Sequence, residues 1–585
     1  MKKNILFTGL LTSFLLVNLN LNSSNNIEEV YKPIRIKNKD YNGRSLTIYN
    51  CADYIDEALI EAFENEYNCK INYYTYDTNE TMYNQLTLQP EGTYDLVCTS
   101  DYMIQRMIRE GLVEKINIQE NLPTYDKYVS KVARNKISTL YADTNEDGVK
   151  DTSLDEYAAG YMWGTLGIIY DPYCSDTIRE DVKSWDIFWD EKYTDLISIK
   201  NSMRDTFVVG LMHAYKGSDI TNQEDILTPA RETFLNELNN ASTEEEKELA
   251  RNKYNKVIQD IFDLIINKED YTPIIEIVKQ ELISLKQNIF GFEVDSGKND
   301  IITGKIKMNL AWSGDAVYSI DQAYEQSEKV LEYYVPDDGS NVWYDGWTLP
   351  NGADRELAFE FIDYLSTPEN AAQNMNYIGY TSFIACDEVF DLVSSWYGVS
   401  EYNSTSTYYA SYYDEEEDVE VDANIVMYNN KFYECIQDTT NNDPLNEEYW
   451  AEIDKEEIGL SDEPYDLSYF FKGNVTEGRS TLIYPYDGSL NQLETQYPSI
   501  DTIARCAVMN DYEKANADVV IMWGQVKAYT NMLPYYIFLS SVFAFVVIAF
   551  TVSIIKKQKS TRSKRRLEEK QGSVNFDTGF YGVKK

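Results

Sequence analysis

SLTIYNCADYIDEALIEAFENEYNCKINYYTYDTNETMYNQLTLQPEGTYDLVCTSDYMIQRMIREG, Ser45 to Gly111, decides the fold class. LTIY (Leu46–Tyr49) is a short β-rich run. Asp56 to Tyr67 places Leu59, Ile60 and Phe63 at helical spacing. INYYTY (Ile71–Tyr76) predicts a second strand, Thr81–Leu88 a helix, and YDLVCT (Tyr94–Thr99) a third strand. Ser100 then stands where an N-cap belongs, before a helix over Asp101–Glu110 that Gly111 stops. Strands and helices that alternate in this way predict an α/β domain rich in parallel strands. In such sheets ligands bind beyond the carboxyl ends of the strands.

The whole chain has 585 residues, 43% of them hydrophobic, enough for a sizeable core and more than one domain. It carries 97 acidic and 52 basic residues, a formal charge of −45. Phosphate recognition needs basic surface, so nucleic acid is excluded as a partner, and cationic ligands suit the chain better. The same charge also serves solubility alone. His213 is the single histidine, which removes Ser–His hydrolases, HExxH proteases and three-histidine zinc sites. Seven cysteines (Cys51, Cys69, Cys98, Cys174, Cys386, Cys435, Cys506) form no CxxC, so no zinc ribbon or redox motif is predicted.

Both ends carry membrane signals. Lys2-Lys3 followed by the apolar stretch Ile5–Val17 has the form of a secretory signal over 1–26, without a clear cleavage site or a cysteine for a lipid. Leu533–Ile555 (LPYYIFLSSVFAFVVIAFTVSII) is free of charge and long enough for the ~20 residues of a transmembrane helix. Lys556-Lys557 and the basic cluster Lys559–Arg566 follow, which predicts a cytoplasmic tail over 556–585 and a body on the extracytoplasmic face of the cell membrane.

Three segments have the character of insertions. Ala142–Glu156 (ADTNEDGVKDTSLDE) sets Asp143, Asn145, Asp147, Gly148 and Asp151 at positions 1, 3, 5, 6 and 9 of a calcium loop, but position 12 is Leu154. A structural calcium site and a solvated acidic turn both stay open, and no other cofactor is implied. Gly217–Gln287 is rich in Glu, Lys and Leu and predicts helices. Ser400–Asp462 is an acidic, tyrosine-rich block containing the run Asp414–Asp418.

Elsewhere carboxylates recur beside aromatic rings: YNCADY (Tyr49–Tyr54), TSDY (Thr99–Tyr102), WSGDAVY (Trp312–Tyr318) and VWYDGW (Val342–Trp347). MRD (Met203–Asp205) supplies an acid without a ring, and IGYTS (Ile378–Ser382) a tyrosine in a glycine turn. Such pairs suit a ligand made of ammonium groups joined by methylenes. Carboxylates take the ammonium groups through charge-assisted hydrogen bonds. Ring faces cover the methylenes and add cation–π attraction. With 97 acids and 49 tyrosines, however, any single pair also arises by chance.

Taken in order, these segments resemble the spermidine/putrescine-binding proteins of polyamine ABC importers. The likeness runs from about Leu46 to Ala528 through LTIYNCADYID, TYDTNETMY, YDLVCTSDYMIQRMIREGLVEKI, YMWGTLGIIYD, SWDIFWDEKY, SMRDTF, NLAWSGDAVYS, VPDDGSNVWYDGWTLPNGA, AFEFIDYLSTPENAAQNMNYIGYTS, DLSYFF, PSIDTIARCAVMNDYEKAN and VIMWGQVKA. The resemblance implies an α/β, two-lobed type II periplasmic-binding-protein fold with a hinge. Its first lobe would hold 45–160 and 343–386. Its second would hold 161–342 and 387–530, with 217–287 as a helical insertion. It implies a non-enzymatic receptor that hands a polyamine to permease subunits driven by a cytoplasmic ATPase. Carried over motif by motif, it implies an aromatic wall at Cys51 and Tyr54, with Cys51 standing where the family usually has Trp, and an acid at Asp53. It implies further contacts at Ser100 and Tyr102, an end-group carboxylate at Asp205, and a second one at the position of Ser202. Trp312, Trp343, Asp345 and Tyr380 match the remaining pocket positions. A late glutamine contact would fall near Met509 and is not carried over.

Within the block 400–462, ANIVMYNNKFYECIQDTTNNDPLNEEYW (Ala423–Trp450) resembles the small carbohydrate-binding modules of chitinases, with Tyr428, Tyr433 and Trp450 on the pattern. That likeness implies contact with cell-wall glycan. It keeps two other readings open, a surface adhesin and a glycosidase using two of the many carboxylates.

Overall fold

The structure, a computed structural model, describes residues 39–145, 150–217, 223–414, 419–530 and 533–574. The secretory signal expected over 1–26, Asp147 and Gly148 of the calcium-like loop, residues 415–418 and the tail after 574 lie outside the described residues.

The predicted alternation is present. β1 (Ser45–Cys51), β2 (Lys70–Tyr76) and β3 (Leu96–Ser100) are parallel, with β1 in the middle. The helix after β1, Glu57–Tyr67, starts where the Asp56 carboxylate accepts the Ala58 N–H, and it buries Leu59, Phe63 and Tyr67. A second parallel trio is built from β5 (Ile197–Lys200), β6 (Gly291–Glu293) and β7 (Met308–Trp312).

Two long strands join the trios. β4 (Ala158–Tyr170) is buried at every position, which its near-continuous apolar run YMWGTLGIIY requires of a central strand. β8 (Ser340–Pro350) lies antiparallel to it. The main path of the twelve-stranded sheet is therefore β2-β1-β3-β8-β4-β7-β5-β6. β8 pairs with β3 through Asp345–Thr348, β4 pairs with β7 through Leu166–Tyr170, and the two long strands pair with each other, so together they link the trios. This is the two-lobed α/β arrangement with a double crossing.

Apolar residues gather in two large cores. The helices of the 217–287 insertion, Leu227–Asn240, Glu244–Phe262 and Thr272–Lys286, add Phe234, Tyr254, Ile258, Val278 and Leu282 to the second. The middle helix opens with a capping box between Thr243 and Glu246, which satisfies two end N–H groups reciprocally. The segment 387–530 contributes to both cores. Trp396, Phe470, Leu493 and Tyr497 pack in the first core, and Tyr512, Val519 and Trp523 in the second.

The 400–462 block contains a three-stranded antiparallel sheet, Ile425–Tyr428, Lys431–Cys435 and Trp450–Ile453. Its resemblance to a glycan-binding surface is not sustained. Trp450 is 2% exposed and Tyr433 6%; both sit with Tyr408, Val426 and Cys435 in the module's own small core. The Trp450 indole N–H donates to the Asn442 carbonyl at 3.0 Å, and the Tyr428 hydroxyl to Asp443 at 2.5 Å. Trp450 and Tyr433, closed in this way, hold the module together and turn no open face to a sugar, while the Tyr428 ring stays half-buried.

Residues from Lys527 onward form a separate compact unit. Its helix Leu533–Val574 has 42 residues, about 63 Å at 1.5 Å per residue, against the ~30 Å of a hydrocarbon core. It is long and apolar enough to cross a membrane, and it continues unbroken into the basic cluster.

Candidate functional site

The carboxyl ends of all six parallel strands open on one cleft. Cys51, Tyr76 and Ser100 end the strands of the first trio; Lys200, Glu293 and Trp312 end those of the second. All six line the cleft. It also holds the rest of the expected ligand contacts: Asp53, Tyr54, Tyr102, Ser202, Asp205, Trp343, Asp345 and Tyr380.

β8 places the central carboxylate. Its register against β4 shifts between Tyr344 and Gly346, a bulge with Asp345 at its centre. Bulges re-aim a side chain out of the sheet's alternation. Asp345 Oδ2 accepts the Tyr54 hydroxyl at 2.8 Å, while Oδ1 is buried with no hydrogen-bond partner. Burial raises the Asp345 carboxyl to about 6, although hydrogen bonds from Ser100 and Tyr54 pull the other way. The neighbouring Asp101 is pushed up to about 8, first by burial and then by Asp345; its two oxygens accept the N–H groups of Tyr102 and Tyr344.

Ser100 occupies the expected N-cap position of the helix Asp101–Arg109, but its hydroxyl makes no cap hydrogen bond. It accepts from the Asn79 amide at 3.0 Å and belongs to the cleft instead. Ser202 is the reverse. Its hydroxyl caps the helix Met203–Ala214 by accepting the Asp205 N–H at 3.3 Å, so it holds Asp205 in the first turn. The Asp205 carboxyl is raised by burial, against hydrogen bonds from Ser202 and Trp312.

Aromatic rings wall the cleft. Tyr54 meets Tyr380 edge-on at 5.0 Å, and Trp343 meets Tyr380 at 5.6 Å. Two glycines make room for them: an added Cβ at Gly164 would overlap Trp343, and one at Gly314 would overlap Tyr380. Asn341 and the indole N–H of Trp343 also line the cleft and are buried without hydrogen-bond partners.

Several groups escaped the sequence reading. Lys200 is fully buried, and its ammonium lies 2.9 Å from Asp315 and 3.2 Å from Glu293. Tyr380 donates to Asp315 at 2.8 Å. Burial works against the charge of Asp315, but Lys200 and Lys298 more than offset it and hold its carboxyl below the usual range. Arg204 packs its guanidinium between Tyr102 and Tyr512, at 4.2 and 3.5 Å from the ring centres. Met509 also lines the cleft. Asp315 stood in view within WSGDAVY, whereas the lysines and Arg204 sit in no pattern that sets them apart from surface charges.

The calcium-like loop behaves as a hydrogen-bonded turn where it is described. Thr144 and Asn145 both donate to the Asp151 carboxylate at 3.3 Å, and the Asn145 N–H to Asp143 at 3.2 Å. Among the described residues no cluster of three or more His, Cys, Asp or Glu is arranged to hold a metal ion.

The chain is 25% identical to the spermidine/putrescine-binding periplasmic protein of Salmonella typhimurium (strain LT2) over 338 residues, 57% of this chain and 76% of that one. It is 24% identical to the putrescine-binding periplasmic protein SpuD of Pseudomonas aeruginosa (strain UCBPP-PA14) over 333 residues, 56% of this chain and 75% of that one. Among solved structures, the PotD substrate-binding protein of Streptococcus pneumoniae aligns with a TM-score of 0.46 at 19% identity, covering 83% of this chain and 99% of that one. The profile of the family described as bacterial extracellular solute-binding protein matches residues 58–391. That span holds both parallel trios except β1, both crossing strands and most of the cleft, so the chain belongs to the bacterial extracellular solute-binding proteins, a family of receptors rather than enzymes.

Proposed function

We propose that this protein is the extracytoplasmic substrate-binding component of a polyamine ABC importer. It captures a linear polyammonium ligand between its lobes and delivers it to permease subunits. The observation that carries this reading is Asp345: a carboxylate at the crossing of the two lobes, walled by Tyr54, Trp343 and Tyr380, with one oxygen shielded from water and unpartnered. A buried anion without a partner is costly, and a bound ammonium removes that cost. Asp205 lies in the same cleft beside Trp312 and can take a second ammonium. The names of the relatives point to the same ligand class. The helix Leu533–Val574 serves as a single membrane anchor, keeping the receptor near its permease at high effective concentration.

Calorimetry of the full chain in detergent tests the ligand. Putrescine or spermidine is expected to bind saturably, and neutral sugars and anionic amino acids are not. A folded chain that binds no polyamine at millimolar ligand refutes the assignment.

A further inference from the structure

The cleft contains two ammonium groups of the chain's own, and they differ in kind. Lys200 is saturated: Asp315, Glu293 and the Val294 carbonyl surround it at 2.9, 3.2 and 2.9 Å, and none of it reaches solvent. Lys298, on the helix Ser296–Ile302, is held loosely. Its ammonium stands 3.8 Å from Asp53 and 3.7 Å from Asp315, with no direct hydrogen bond among the described residues and a side chain 15% exposed. Asp53 follows β1 in the first lobe, and Asp315 follows β7 in the second. The Lys298 charge thus bridges the two lobes at one end of the cleft, where the terminal ammonium of a long ligand would otherwise bridge them.

The Tyr54–Tyr380 pair separates this end from the other. Tyr54 donates to Asp345 and Tyr380 to Asp315, each at 2.8 Å, with the rings 5.0 Å apart. On the Asp345 side no lysine or arginine forms an ion pair with Asp345 or Asp205 among the described residues, although the charges of Lys200 and Arg204 act on Asp205. The cleft is therefore open to added positive charge at Asp345, and already supplied with it at Asp53 and Asp315.

Building on the polyamine reading, we propose that Lys298 is a built-in occupant of the Asp53–Asp315 end, so that the site takes a linear diamine and discriminates against a triamine. A third ammonium must either displace Lys298 from its two carboxylates or stand beside it, and like charges at this separation repel.

Calorimetry of the full chain with putrescine and spermidine, on the native protein and on Lys298→Met and Lys298→Arg, tests this. The ratio of the two affinities is read on each preparation, so a fraction of misfolded variant does not alter it. The native protein is expected to bind putrescine at least about ten-fold more tightly than spermidine, the size of one charge-assisted hydrogen bond. Lys298→Met is expected to shift the ratio about ten-fold toward spermidine, and Lys298→Arg to leave it near the native value. A native protein that prefers spermidine, or a ratio unmoved by Lys298→Met, overturns the role of Lys298 and leaves the receptor standing. A native protein that binds neither amine overturns both.

Discussion

Asp345 sits where burial and function pull in opposite directions. Its carboxyl is raised from 3.8 to about 6, chiefly by loss of solvation. A raised folded-state pKa means that the protonated form favours folding. The contribution is present below about pH 4 and is lost as pH rises through about 6. The ionised form then costs the ligand-free protein roughly 2 kcal/mol near pH 7, less than the full shift because cleft water reaches part of the residue. Asp345→Asn keeps the Tyr54 hydrogen bond without the charge. Its ligand-free melting temperature at pH 7 is expected to rise, and its polyamine affinity to fall about ten-fold or more. Differential scanning fluorimetry and calorimetry read the two effects, and a variant that melts lower while binding as tightly would refute the assignment. The same linkage sets a pH profile. A cation binds the ionised carboxylate, so native affinity is expected to hold above about pH 6 and to fall by up to about ten-fold per unit below it, a slope that Asp345→Asn should flatten.

At the scale of elements, the site depends on where backbone leaves space for rings. The motif WSGDAVY carries Gly314 at the start of the helix Ser313–Ser327, and the Tyr380 ring lies where a side chain would be. Gly314→Ala is expected to push Tyr380 off the cleft wall, at an overpacking cost of about 1–3 kcal/mol. Melting temperature and polyamine affinity should fall together, and Tyr380→Phe serves as the control that keeps the ring while losing the bond to Asp315. The 400–462 module makes the opposite case. Trp450 fills a core of only a few residues, so Trp450→Ala, worth about 3–5 kcal/mol in larger cores, should open the module to protease. Polyamine binding should persist, because Trp450 packs only in the module's own core and does not line the cleft.

For the whole molecule, the helix Leu533–Val574 is long and apolar enough to cross a membrane, and its basic continuation makes the topology testable. Protease added to intact cells is expected to degrade the body and to spare the segment beyond Lys556, as the positive-inside rule requires. A protected body with a digested tail would reverse the orientation.

What the sequence determined by itself is what short-range physics encodes. Strand and helix periods, the charge-free stretch and its basic flank depend only on neighbours along the chain. They were legible from Ser45–Gly111 and Leu533–Arg566 alone. The ordered motifs went further and named eleven residues that the structure gathers around one cleft. The fate of each charge was decided only in three dimensions. Lys200 ends the apolar strand ISIK and Lys298 lies in a polar stretch, and their meaning comes from strands and helices that bring them to Asp315 and Asp53 across more than a hundred residues of chain. Trp450 has the aromatic spacing of a binding platform, yet its sheet folds it inward. Burial and ion pairing depend on which distant elements close over a side chain, and no local pattern records that.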